Sequence, residues 1–151
     1  MTENAEIIAI GSDHAGFVMK EYLTKILAGW GVKVKDFGAF SEESIDYPDP
    51  IHPLANSIEK GEYTRGIIIC GSGNGAAMVA NKYPHVRAAL CWEEEIAKLA
   101  RQHNDANIIS IPARFISNIR AAELVRVFLY TEFEGGRHER RVNKIPAPIQ
   151  S

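Results

Sequence analysis

The chain has 151 residues, 46% hydrophobic and 24% charged, with a formal net charge of −2 at pH 7. That length suits one domain, and a core of that apolar content needs no disulfide or metal staple. The charge leaves no electrostatic footprint for nucleic acid or an anionic membrane, so neither is expected as a partner, and any bound anion must be held by a local cluster.

Met1 to Glu6 is polar and runs straight into an apolar segment, so no signal peptide is expected. No apolar run approaches the ~20 residues that span a bilayer. The first predicted strand is Ile7–Ile10, followed by Gly11-Ser12-Asp13-His14-Ala15-Gly16. Asp13 and His14 between small residues suit sugar hydroxyls and proton transfer; Ser12 or Asp13 also suits a helix cap. A helix is predicted over Phe17–Leu27, with Val18, Tyr22, Leu23 and Ile26 on one face. Strand Val32–Phe37 follows, then Asp46-Tyr47-Pro48-Asp49, which is turn chemistry first and a site wall at Tyr47 second.

After a helix around Ile51–Glu59 comes strand Ile67–Cys70 and the loop Cys70-Gly71-Ser72-Gly73-Asn74-Gly75-Ala76. Glycines let backbone amides crowd toward an anion, and a helix N-terminus adds partial positive charge. Such surroundings favour a thiolate, which makes Cys70 a candidate base; the alternative is a buried last strand residue beside a tight turn. Gly71, Gly73 and Ala76 also satisfy G-x-G-x-x-A, with Glu93–Glu95 about 20 residues on, so a dinucleotide-dependent oxidoreductase is a rival reading. Against it, this loop follows the third strand rather than the first of its unit, and the acidic run opens a helix.

The remaining elements are helix Ala76–Lys82, strand Ala88–Cys91, helix Glu93–Gln102, strand Ile108–Ile111 and helix Ser117–Phe133. The link Arg101-Gln102-His103-Asn104-Asp105-Ala106-Asn107 is unusually polar, and a left-handed C-cap at Asn104 or Asn107 would account for it. Past Gly135-Gly136, Arg137 and Arg141 stand four apart, so a helical turn would let them fork a phosphate; a solvated basic face is the other reading. Two cysteines without zinc or redox spacing point to a reducing cytoplasm, with His52, His85 and Cys91 read as structural or surface residues. No metal ligand set is apparent.

Near-continuous apolar strands alternating with helices predict an α/β fold: one doubly wound, Rossmann-like domain with a five-stranded parallel sheet buried on both faces. Ligands in such folds sit at the C-terminal strand ends. By that polarity His103 and Asn104, at the end of the fourth helix, lie at the opposite edge from Cys70, and a two-fold partner would have to present them.

In order along the chain, Gly11-Ser12-Asp13-His14, Asp46-Tyr47-Pro48, Cys70 through Gly75, Ala80-Asn81-Lys82, Arg101 through Asn107 and Glu134-Gly135-Gly136-Arg137-His138 resemble the type B ribose-5-phosphate isomerases and their galactose- and allose-6-phosphate relatives. The resemblance implies a cofactor- and metal-free aldose–ketose isomerase, a homodimer or dimer of dimers sharing its active sites, with residues 134–151 as a tail packing on the partner. It implies that Cys70 takes the carbon-2 proton and that His103 assists ring opening, with His138 and Asp13 as alternatives for that step. It places Asp13 and His14 on the sugar, Gly71–Gly75 around the enediolate and Asn104 on the ligand. Arg137 and Arg141 match the phosphate-binding arginines, with Arg114 helping them. Ser72 would aim its hydroxyl at the oxyanion. One branch of the family replaces the cysteine by a glutamate just past the loop; here Ala76 stands there, leaving the cysteine route. Ribose 5-phosphate is the expected substrate, a six-carbon sugar phosphate the alternative, and a non-catalytic sugar-phosphate sensor a third possibility.

Overall fold

Side-chain alternation along the strands sets the layers in the computed structural model, which describes residues 6–148. The strands are β1 (Ile7–Ser12), β2 (Lys33–Asp36), β3 (Gly66–Cys70), β4 (Ala88–Leu90) and β5 (Ile108–Pro112). The helices are α1 (Phe17–Gly29), α2 (Pro48–Glu59), α3 (Asn74–Ala80), α4 (Glu94–Gln102), α5 (Asn118–Tyr130) and α6 (Arg137–Val142). Ile8, Ile10, Ile67, Ile69, Ile109 and Ile111 pack into one core with α1, α4 and α5. Ala9, Ile68, Cys70 and Ile108 pack into the other, against α2 and α3. Period two along each strand serves both layers at once, which is why the central strands read as unbroken apolar runs.

The sheet is all parallel in the order β2-β1-β3-β5-β4. Crossovers toward β2 use α1 and α4 on one face, and crossovers toward β4 use α2 and α3 on the other, so all four share one hand. The chain leaves β1 toward one sheet edge and β3 toward the other. Their C-terminal ends therefore flank a crevice at a topological switch point.

The sequence expectation of strands buried on both faces fails for β2 and β4. Both are edge strands, and β2 alternates exposed and half-buried residues. In α1 the inward residues are Met19, Leu23 and Leu27, with Tyr22 packed beside them, whereas Val18 is exposed. Lys20 is fully buried and pairs with Asp36 at 2.6 Å and Glu21 at 3.0 Å. α2 begins at Pro48, earlier than expected. Pro48 and Pro50 sit where amides have no helical partner anyway, and Pro53 forgoes only one bond. α5 stops at Tyr130, short of Phe133, after an N-cap in which Ser117 Oγ accepts from Arg120 N. Met1–Ala5, most of the segment read as lacking a signal peptide, and residues 149–151 of the tail lie outside the described residues.

Candidate active site

The C-terminal edge of β3 carries one group of candidate residues. Cys70 is 5% exposed, and its Sγ accepts the Gly73 amide at 3.1 Å. Gly73 is left-handed (φ 77°), and a Cβ there would meet Leu90 at 2.5 Å. A Cβ on Gly75 would fall 2.6 Å from the Tyr47 ring, so the glycine is what lets that ring close over the loop. Arg114 lies across Gly71 in the same way and donates its amide to the Gly71 carbonyl at 3.0 Å.

The loop does not present all its amides as expected. That of Gly73 is taken by the Cys70 sulfur and that of Asn74 by Ser72 Oγ at 3.2 Å, which leaves the Ser72 hydroxyl proton to point elsewhere. Ser72 and Asn74 are exposed and line a cleft of about 550 Å³ with Leu90, Trp92 and Phe115.

The loop after β1 docks beside this one, its Asp13 amide bonded to the Ile69 carbonyl at 3.2 Å. Asp13 is buried, and its Oδ1 accepts the Gly16 amide at 3.0 Å. Neither Ser12 nor Asp13 caps α1: the N-cap is Gly16, and the Ser12 hydroxyl is buried without a hydrogen-bond partner. His14 Nδ1 accepts from the Ile45 amide at 3.1 Å, which fixes the ring and leaves Nε2 for a ligand. Sequence reasoning missed Lys20. Through Asp36, whose Oδ1 takes the Gly38 amide, it holds the 36–40 loop that bonds Ser12 at 2.6 Å in both directions. A lysine on an otherwise amphipathic helix gives no sign of being buried; only the packing reveals it.

The remaining candidate residues lie at the opposite edge. α4 returns from the ligand edge and ends at His103, and the segment behind it joins the start of β4 through Asn107 N–Arg87 O at 3.0 Å. Five residues of β3 rise about 13 Å between the two edges. Within one chain, then, Cys70, Asp13, His14, Tyr47, Gly71–Gly75 and Arg114 are assembled together, and His103, Asn104, Arg137 and Arg141 are assembled elsewhere.

At that second edge the left-handed residue is Asp105 (φ 48°), correcting Asn104 and Asn107. Its carboxylate is held by Arg101 at 2.9 Å and Arg87 at 3.5 Å, and Asn107 instead accepts the Arg87 amide. Arg101 is buried and also bonds the Ala106 and Thr131 carbonyls, so its part is structural. Asn104 is exposed beside it.

The tail forms α6. His138 and Val142 face inward, and Arg137 and Arg141, one position earlier, share an exposed face. The His138 ring stacks on His103, centroids 4.1 Å apart and 11° from parallel. Burial, the neighbouring His103 and the charges of Arg137 and Arg141 push the His138 pKa below the usual histidine value, against the pull of Glu134. The start of the tail thus packs on its own α4, with Glu134 N bonded to Gln102 O at 3.0 Å. At Cys91 burial alone pushes the thiol up to about 12. No helix among the described residues is long and apolar enough to cross a membrane.

Residues 8–145 match the ribose/galactose isomerase family. The chain is 41% identical over 140 residues to ribose-5-phosphate isomerase B of Escherichia coli, covering 93% of this chain and 94% of the relative. It is 40% identical over 139 residues to D-erythrulose-4-phosphate isomerase of Pectobacterium atrosepticum, covering 91% of each. Among solved structures, a ribose 5-phosphate isomerase from Thermotoga maritima superposes with a TM-score of 0.91 at 48% identity, covering 93% of this chain and 97% of that one. Ribose-5-phosphate isomerase B from Mycoplasma genitalium with bound ribulose-5-phosphate superposes with a TM-score of 0.89 at 39% identity, covering 93% and 94%.

Proposed function

The chain belongs to the ribose/galactose isomerase family and is a sugar-phosphate aldose–ketose isomerase, and from that premise we propose that it interconverts ribose 5-phosphate and ribulose 5-phosphate through an enediolate, with Cys70 as base. The observation that carries this reading is the Cys70 sulfur, buried at the switch point under the Gly73 amide and beside the Asp13 loop.

Cys70 takes the proton from carbon 2 of the open-chain aldose and returns it to carbon 1. The Ser72 hydroxyl and the amides of the Gly71–Gly75 loop other than those of Gly73 and Asn74 stabilise the charge that develops on the enediolate oxygens. Asp13 and the free Nε2 of His14 engage sugar hydroxyls, Asp13 also serving to move hydroxyl protons between the two carbons. Tyr47 walls the site and Arg114 adds positive charge. His103, stacked on His138, donates to the ring oxygen during opening; Asn104 contacts the ligand, and Arg137 and Arg141 fork the phosphate. These last four come from a second subunit, because about 13 Å of sheet separates them from the Cys70 of their own chain. The working unit is therefore a homodimer.

The decisive experiment runs four-, five- and six-carbon sugar phosphates in D2O without added metal or nucleotide. Expected is fastest turnover with ribose 5-phosphate, with solvent deuterium at carbon 1 of the ketose, or at carbon 2 of the aldose on reversal. Turnover without deuterium would indicate a hydride shift and sink the enediolate; preference for a tetrose or hexose phosphate would move the substrate.

A further inference from the structure

Three groups at the second edge form a constellation that isomerisation does not need in full. His103 caps the end of α4, Glu134 lies in the link after α5, and His138 stands in the first turn of α6. Glu134 Oε1 is 3.5 Å from His138 Nε2 and 3.8 Å from His103 Nε2, and one nitrogen or oxygen of each residue lies within 4.8 Å of the others. From this we infer that His103, Glu134 and His138 are a two-histidine, one-carboxylate site for a borderline-soft divalent cation of the Zn²⁺ class, and that filling it inhibits the enzyme by occupying His103.

The geometry is close to what the ion requires. Zinc bonds of about 2.0–2.2 Å in a tetrahedron set ligand atoms roughly 3.3 Å apart. The two measured separations need only a few tenths of an ångström of closure, together with a tilt of one imidazole out of the stack. The side chains of His103 and Glu134 are 39% and 49% exposed and can make that movement, whereas His138, at 10%, is the fixed ligand. The backbone is already placed. Glu134 N bonds Gln102 O at 3.0 Å, and His138 N bonds Gly135 O at 3.1 Å, so little chain ordering remains to oppose binding.

Donor type sets the selectivity. Two imidazoles and one carboxylate suit Zn²⁺, Co²⁺, Ni²⁺ and Cu²⁺, and a single carboxylate holds Mg²⁺ or Ca²⁺ poorly. Arg137 and Arg141 act on His138 as like charges and repel a cation, which makes this an exchangeable site rather than a structural one. Sequence spacing hid it, because His103 stands far from the Glu134-x-x-x-His138 pair.

The inhibition rests on the catalytic reading of His103; the binding does not, and the two are tested separately. Titration of the full chain with Co²⁺ should give tetrahedral visible bands at one ion per chain, displaced by Zn²⁺. Glu134→Gln and His138→Gln should each weaken binding by roughly tenfold or more, while Cys70→Ala keeps it. Bands that persist in both ligand variants, or vanish only in Cys70→Ala, would overturn the site. In activity assays Zn²⁺ should inhibit reversibly, with EDTA restoring turnover, and Glu134→Gln should shift the inhibition midpoint by about the same factor as the binding. Specific binding without inhibition would overturn the inhibitory role, and with it the use of His103 in turnover, and leave the metal site standing.

Discussion

The two edges of the sheet carry unlike chemistry. At the C-terminal edge short loops hold a thiol, a buried carboxylate and a glycine turn under Tyr47 and Arg114, fixed by backbone hydrogen bonds. At the other edge a stacked histidine pair stands at helix ends, with Arg137 and Arg141 exposed on the short α6. The first arrangement can abstract a proton but offers Arg114 as its nearest cation for a phosphate; the second offers cations and acid groups but no base beside a glycine cradle. On the proposed reading each edge supplies half of a site, and closure of one on the other across a two-fold axis uses both.

The comparison breaks first at Cys70. Cys70→Ala should lower kcat by about 10² to 10⁴ with little change in substrate affinity, since a missing base affects chemistry before binding. Steady-state kinetics with a separate binding measurement check this, and near-normal turnover would place the base elsewhere.

Mixing sharpens the division between edges. Homodimers of Cys70→Ala and of His103→Ala should both be severely impaired. After the two are unfolded and refolded together, about half the dimers are mixed, each with one doubly defective and one intact site, so activity should recover to about a quarter of wild type. No recovery would mean that both residues serve the same subunit's site.

A smaller effect is expected on the exposed face of α6. Arg137→Ala and Arg141→Ala should each raise KM for phosphorylated sugars by roughly one to two decades, corresponding to about 1.5–3 kcal/mol for a charge-assisted contact. Unchanged constants in both variants would return the pair to a solvated basic face.

The smallest effect concerns pH. The folded-state pKa of His138 is lowered, so between that value and the ordinary histidine range the unfolded chain binds more protons and stability rises with pH. Tm should fall as the solution is acidified through this window, and His138→Gln should flatten the dependence. An equally steep curve in the variant would assign the titration to another group.

By itself the sequence determined the strands, the single-handed winding and the loops at the strand ends. Period-two burial and glycine spacing are local signals that survive in one dimension, and Ile67–Cys70 with Gly71–Gly75 carries both. Sheet polarity even placed His103 away from Cys70. Tertiary structure alone decided which polar residues of the 101–107 segment hold the fold: Arg101 and Asp105 clamp each other, while His103 is half-buried against His138 and Asn104 is exposed. It also decided the burial of Lys20 and the meeting of His103 with Glu134 and His138. The physical reason is common to the last two, since Arg101 and Asp105 are only four residues apart whereas Lys20 with Asp36 and His103 with His138 join separate elements. An ion pair or an imidazole stack is fixed by contacts between elements distant in the chain, and its members have no periodicity of their own to betray which neighbour they will find.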